Sequence, residues 1–409
     1  MNKVKLGIIG IGNMGSGHAK SLIEGKVEEM ELVAVADVKP ERIEWAKEAL
    51  LGVATFNSAE ELIESGIVDA VLVTVPHYGH TKCSIMAMEK GLHVMCEKPA
   101  GVYTKQVREM NEVAKKSDVV FGMMFNQRTN HIYRKMKELV ESGRFGQIRR
   151  TNWLITNWYR PQSYYDSGDW RATWSGEGGG VLLNQCPHQL DLWQWICGMP
   201  KTVDARLLFG KWHDIEVEDD VSAFVTYENG ATGVFITSTG DALGTNRFEI
   251  QMDKGKLVAE GGKLRVWEFE QSEQEFSATH TAPFGSPKAT EIEVETDGLD
   301  PEHNGVLRKF AAAILRGEPL VADGSEGING LTISNAMHLS AWTGKEVTLP
   351  LDEDLYYDEL MKRVKTSRRK TNVVEVVADT SNSYKDTEDV KKKLDDIDEI
   401  RKNRWQVKW

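Results

Sequence analysis

Short apolar runs alternate with amphipathic stretches through the first third of the chain. Residues 3–9, "KVKLGII", form a β-branched apolar run, and "SGHAKSLIEG" behind it is helix-compatible. Residues 32–36 read as a second strand, "IEWAKEALLG" as a helix, "ATF" as a short strand and "SAEELIES" as a capped helix. Residues 68–76, "VDAVLVTVP", are apolar almost without a break, as in a strand buried on both faces. "GHTKCSIMAMEKG", "HVMCEKP", "TKQVREMNEVAKKS" and "VVFGMMF" continue as helix, strand, helix and strand. Repeated units of this length predict an α/β fold with a doubly wound parallel sheet, here assigned to residues 1–128.

The period changes after about residue 132. "HIYRKMKELVESGRFG" is an amphipathic helix. From Gln147 the segments alternate in period two and are joined by turns at Glu228-Asn229-Gly230 and Asp253-Lys254-Gly255. These predict a second α/β domain over residues 129–350, built on an open, mainly antiparallel sheet. "GGGVLLNQCPHQLDLWQWICG", from Gly178, reads as one helix packed on that sheet through Leu182, Leu183, Leu190, Leu192 and Trp193. Asn184, His188 and Asp191 then fall at i, i+4 and i+7, on one stripe. "PEHNGVLRKFAAAILRGE" and "GINGLTISNAMHLSAWTG" predict two helices that return to brace the first domain. Residues 351–409 are highly charged and are expected to form a solvated terminal helix or an interaction tail.

Composition narrows the class. The chain has 409 residues, 41% hydrophobic and 27% charged, as in a soluble globular protein with real cores. A net charge of -12 leaves no basic surplus for a nucleic-acid backbone. The first apolar run is too short and glycine-rich for a signal peptide, and no run approaches a membrane span of about 20 residues. A cytoplasmic protein without a membrane partner is therefore expected. Cys83, Cys96, Cys186 and Cys197 form no CxxC pair and read as reduced residues, with neither a disulfide nor a metal site expected.

The chemistry begins at Gly10-Ile11-Gly12-Asn13-Met14-Gly15, between the first strand and its helix. This is the context a dinucleotide fingerprint requires. Gly10 permits the tight turn, Gly12 lets backbone approach a pyrophosphate, and Gly15 lets helix and strand pack closely. Asp37, at the end of the second strand, can accept from a ribose diol and repel a 2′-phosphate, which argues for NAD over NADP. Ligands in such sheets lie beyond the strand C-termini. That places Thr74, Val75, Pro76 and His77, with His80 one turn on, and Glu97, Lys98 and Asn126 at the coenzyme, and Arg128 beside the substrate. Lys98 can hydrogen-bond a substrate hydroxyl and stabilise alkoxide charge. Between residues 157 and 180, Tyr164, Trp170 and Arg171 offer the aromatic faces and polar forks that suit a sugar.

Together the GxGxxG turn, Glu97-Lys98-Pro99 and the glycine-led His188…Asp191 segment resemble the Gfo/Idh/MocA oxidoreductases over about residues 3–350. The resemblance implies a Rossmann domain followed by an open-sheet domain, a tightly held NAD(H) or NADP(H), sugar or cyclitol substrates, and assembly into dimers or tetramers. It also implies Lys98 and His188 as the catalytic pair, with His188 the acid/base. The family often carries Asp four residues before that His, where this chain has Asn184. The aromatic segment and "NQCPHQLDLWQW" are most similar to members acting on glucosides, often at C3. On this reading hydride passes between a sugar carbinol and nicotinamide. Asn184 and Asp191 orient substrate or His188, and Arg128, Tyr164, Trp170 and Arg171 contact substrate. An inositol dehydrogenase, an NAD-retaining glycosidase working by transient oxidation, and a non-catalytic sugar or nucleotide sensor stay open.

Overall fold

A computed structural model describes residues 3–368 together with Lys370 and Val373. The first domain alternates β1 (Val4–Ile9), α1 (Asn13–Ile23), β2 (Met30–Ala36), α2 (Pro40–Ala49), β3 (Ala54–Phe56), α3 (Ala59–Glu64), β4 (Ala70–Val73), α4 (His77–Glu89), β5 (His93–Cys96), α5 (Thr104–Ala114) and β6 (Phe121–Met123). Its six strands are all parallel, in the order β3-β2-β1-β4-β5-β6. The order reverses at β1, so the crevice above β1 and β4 is where such a sheet takes a ligand. Gly10 holds φ +91° there, and a side chain on it would meet the Thr74 carbonyl. A Cβ on Gly15 would stand 2.0 Å from the Gly10 carbonyl oxygen, so only glycine lets α1 start this close to β1.

The second domain holds α6 (His131–Glu141), β7 (Ile148–Ile155), a short α7 (Gln162–Tyr165), α8 (Pro187–Cys197), β8 (Thr202–Phe209), β9 (Glu218–Thr226), β10 (Thr232–Ser238), β11 (Asn246–Met252), β12 (Gly255–Glu260), β13 (Lys263–Phe269), α9 (Glu273–Thr279) and β14 (Ala289–Ile292). With β15 (Val347–Thr348) the strands form a nine-stranded sheet, β14-β13-β12-β11-β7-β10-β9-β8-β15. All pairs are antiparallel except β7 with β10, which the intervening α8, β8 and β9 bring round in the same direction. One face packs on α8 and its neighbours: Trp193 stacks on Phe235 and donates Nε1–H to Thr151 at 3.0 Å. The other face leaves Leu154, Leu208 and Phe224 exposed.

Three later helices tie the halves together: α10 (Glu302–Arg316), α11 (Gly327–Thr343) and α12 (Glu353–Thr366). Val306, Leu307 and Phe310 of α10 share a core with Leu6, Ile8, Val35 and Leu72 of the parallel sheet. Asn335 of α11 accepts from Thr104 N–H and donates to the Val102 carbonyl, both at 3.1 Å. The bracing expected of these two helices is present. Residues 353–366 differ from a solvated tail: Tyr356 and Leu360, four apart, are fully buried, while Glu353 and Asp354 pair with Arg108 and Lys105 of α5. The charged stretch beyond residue 373 lies outside the described residues. Among those described, no helix is long and apolar enough to cross a membrane.

Gly15→Ala is expected to force α1 off β1 and to destabilise the protein by roughly 1–3 kcal/mol, read as a lower urea midpoint. Dinucleotide binding measured by fluorescence titration should fall with it.

Candidate active site

The glycine turn presents main chain rather than side chain. A Cβ on Gly12 would meet nothing within 4 Å, and no side chain caps the α1 N-terminus, which begins beside Asn13 and Met14. Asp37 stands at the end of β2. Its Oδ2 accepts from Ile11 N–H at 2.8 Å and its Oδ1 from Lys39 N–H at 2.9 Å, which leaves lone pairs on both oxygens. Arg42 is engaged by the turn itself, with Nε on the Ile11 carbonyl at 2.7 Å and its guanidinium over Trp45. An anion cradle with a carboxylate beside it and its nearest arginine occupied fits an adenine dinucleotide without a 2′-phosphate.

At the end of β4 the side chains serve the protein itself. Thr74 Oγ1 donates to the Ile9 and Gly10 carbonyls and ties the β4 end to the glycine turn, just ahead of Val75 and of Pro76, which precedes α4. His80 has one ring nitrogen 2.6 Å from the Pro99 carbonyl and the other 2.7 Å from the Val75 carbonyl, a strut between two strand-end loops. His77 reaches across to the second domain, with Nδ1 3.2 Å from the Glu177 carbonyl and its ring edge-on to Trp170. Both histidines stand at the strand-end loops to which the sequence assigned them, and each ring meets backbone there.

Beyond β5, Glu97 is buried on His18 at 2.9 Å and also accepts from Lys98 N–H at 3.1 Å. Burial pushes the Glu97 carboxyl up, but the His18 hydrogen bond and neighbouring positive charge outweigh it and bring it down to about 2. Lys98 is half-buried, and its ammonium donates to the main-chain carbonyl of Asn184 at 3.0 Å. Burial pulls its pKa down; Glu97 and Glu177 oppose that, and Arg160 and Arg171 reinforce it.

His188 sits in the first turn of α8, only 9% exposed, edge-on to Phe125. Its Nδ1 is sealed without a partner, so Nε2 is the ring atom left to meet a ligand. Burial, and then the Lys98 charge, push its pKa well below the usual histidine range, and the imidazole is neutral near pH 7. Asn126 has a buried, unpartnered Oδ1 in the turn after β6, an acceptor that a bound amide would satisfy.

The aromatic segment closes the other side. Tyr164 O–H donates to Asn184 Oδ1 at 3.1 Å and accepts from Arg171 Nη1 at 3.0 Å. Trp170 lies under the Arg171 guanidinium, 4.6 Å from its ring centre. Asn184 in turn donates through Nδ2 to Glu177, a buried acid that also accepts from Ala172 N–H. Burial pushes the Glu177 carboxyl up against the pull of Arg171. Sequence reasoning missed Glu177. Its one signal was an acid flanked by four small residues, "SGEGG", just ahead of a strongly patterned stretch.

Two expectations change. The helix begins at Pro187, not at the glycines, so Asn184 lies in the preceding turn and no three-residue stripe forms. Asp191 and Arg128 do not face the crevice. They form a bidentate ion pair at 2.6 and 2.7 Å, 1% and 2% exposed, extended by Glu326 at 2.8 Å. The pair locks α8 to the turn after β6 and to the start of α11. Burial pulls the Arg128 pKa down, and the Asp191 contact outweighs it.

Comparison with known proteins agrees with this arrangement. Residues 4–125 match the family model for the NAD-binding Rossmann fold of the GFO/IDH/MocA oxidoreductases, and residues 133–258 match that for their C-terminal domain. Myo-inositol 2-dehydrogenase of Thermotoga maritima is 26% identical over 85% of this chain and 98% of its own. D-glucoside 3-dehydrogenase of Escherichia coli is 28% identical over 53% of this chain and 64% of its own. The WlbA dehydrogenase of Bordetella pertussis, solved with NADH and UDP-GlcNAcA, superposes with a TM-score of 0.73 at 26% identity, covering 86% of this chain and all of its own.

Asp191→Asn should leave Arg128 without its bidentate carboxylate and cost about 3 kcal/mol, measured by chemical denaturation. Glu97 contributes stability that is complete above pH 4.5 and lost as pH falls toward 2, because its folded pKa lies below the unfolded one. Glu97→Gln should flatten the stability-pH curve in that window.

Proposed function

Because this chain belongs to the GFO/IDH/MocA oxidoreductase family, we propose that it is an NAD-dependent dehydrogenase of a sugar, glycoside or cyclitol hydroxyl, with His188 and Lys98 as the catalytic pair. One observation carries the assignment: the Lys98 ammonium of the first domain rests on the Asn184 carbonyl of the second, just ahead of the turn that bears His188. The Gly10–Gly15 turn, Asp37 and Asn126 would hold NAD, which when bound supplies the nicotinamide carbon that accepts hydride. His188, with its proton on Nδ1, takes the carbinol proton at Nε2. Lys98 donates to the same oxygen and offsets the charge it develops. Tyr164, Asn184, Trp170 and Arg171 hold the ring, with Trp170 offering an apolar face and the others hydrogen bonds. The relatives named for inositol C2 and glucoside C3 oxidation bracket the substrate class. A homo-oligomer through the open sheet face suits the exposed Leu154, Leu208 and Phe224. A cytoplasmic setting suits four free cysteines, three of them buried.

Lys98→Ala and His188→Ala should each lower turnover about 10²- to 10⁴-fold while the dissociation constant for NAD changes little. A loss confined to NAD affinity would overturn the assigned roles. The base must be neutral and its pKa is depressed, so the rate should hold on acidification past pH 6.5 and fall only below it. Alanine at Asp37 should weaken NAD and narrow its advantage over NADP, compared by titration of both coenzymes.

A further inference from the structure

Most arginines of this protein that lie near an acid are paired with it: Arg108, Arg144 and Arg265 each grip a glutamate with two nitrogens. Two half-buried arginines beside the crevice depart from that habit. Arg160 donates Nη1–H to the Tyr159 carbonyl at 2.9 Å, and Arg171 donates to the Tyr164 hydroxyl at 3.0 Å. Neither has a carboxylate at ion-pair distance among the described residues. Both guanidiniums lie over the Tyr164 ring, 5.1 and 4.7 Å from its centre, and that phenol hydrogen-bonds Asn184, on whose carbonyl Lys98 rests.

Three cations thus converge on one tyrosine and one asparagine, and the two arginines depress the Lys98 pKa by their charge. Two of the acids nearby are committed elsewhere, and Asp169 is exposed. Asp166 holds Gln162 and faces Lys370, and Glu216 holds Ser367 and the Arg368 N–H. Glu97 and Glu177 both act on Lys98, but Glu97 is held by His18 behind the lysine, and neither acid lies at ion-pair distance from Arg160 or Arg171. A half-buried excess of positive charge, with guanidinium donors left over, costs free energy until an anion fills it. In a chain of net charge -12, the excess is local to this mouth.

We propose that the substrate carries an anionic group, a carboxylate or phosphate on the sugar, received between Arg160 and Arg171. This rests on the sugar-oxidising reading, since the group must ride on the molecule presented to Lys98 and His188. The planar forks suit two oxygens of either anion. The sugar hydroxyl to be oxidised then lies toward Lys98, and the charged end lies toward the exposed rim at Tyr159.

The test is calorimetric titration of the NADH-loaded protein with methyl glucoside, methyl glucuronide and glucose 6-phosphate. At least one anion should bind about 10- to 100-fold tighter than the neutral glucoside, with an advantage that shrinks in high salt. The better of the two anions tells carboxylate from phosphate. In the R160Q/R171Q protein the advantage should disappear, while its NADH binding reports that it is folded. Equal affinity for the neutral sugar, an advantage that survives in the double variant, or no binding of either anion overturns the proposal. NAD reduction with the same sugars is followed separately: anion selectivity without oxidation would sink the dehydrogenase and keep the anion site, and oxidation without selectivity would do the reverse.

Discussion

A cation held out of bulk water on a main-chain carbonyl sets the geometry of this crevice. Lys98 belongs to a strand end of the parallel sheet, and its acceptor, the Asn184 carbonyl, belongs to the turn ahead of α8. The contact works only if both supports are stiff. Glu97, clamped on His18, anchors the lysine's own backbone. The buried ion pair of Arg128 with Asp191 anchors α8 from its far side. Removing a partner from such a pair is costly because an uncompensated charge stays behind. That is reason enough for a carboxylate on the helix that bears His188 to be spent on an ion pair.

The charges also tune one another. Burial strips Lys98 and His188 of solvation, and each charged form becomes harder to hold. An ammonium beside an imidazole disfavours a second proton, so a protonated lysine and a neutral histidine support each other. Glu177 tempers the effect from the opposite wall, through the amide of Asn184. The side chain at position 184 is an amide that links the Tyr164 hydroxyl to the Glu177 carboxylate, while its main-chain carbonyl holds the lysine.

Much of this was legible in the residues. Period-two and period-3.6 patterning located the βα units, the antiparallel strands and the returning helices, because each buries a continuous face. Gly10, Gly12, Gly15 and Asp37 were legible because backbone geometry leaves few other ways to build that turn. The start of α8 was written in the chain as well: Pro187 has no N–H and favours the first helical position, but the glycines drew the boundary nine residues early. Tyr356 and Leu360 sit four apart and signalled a docked helix inside a charged stretch. The partnership of Arg128 with Asp191 spans 63 positions and carries no local signature. The backbone contacts of His77 and His80 were hidden for the same reason: a strand-end histidine looks alike in sequence whatever its ring meets.

The return of α10 into the first core has a consequence for how ligands come and go. The parallel sheet is walled on one side by a helix that the chain makes only after all but the last strand of the other sheet. Asn304 of α10, which accepts from the Ser21 hydroxyl of α1, and Asn335 of α11, which accepts from Thr104 N–H, stitch the later helices to the first domain at separate points. Bodies joined by several covalent crossings and a shared apolar wall do not swing open like a book. Coenzyme exchange and substrate entry then fall to the rim of the crevice, where Tyr159 is exposed and Trp170 half-buried.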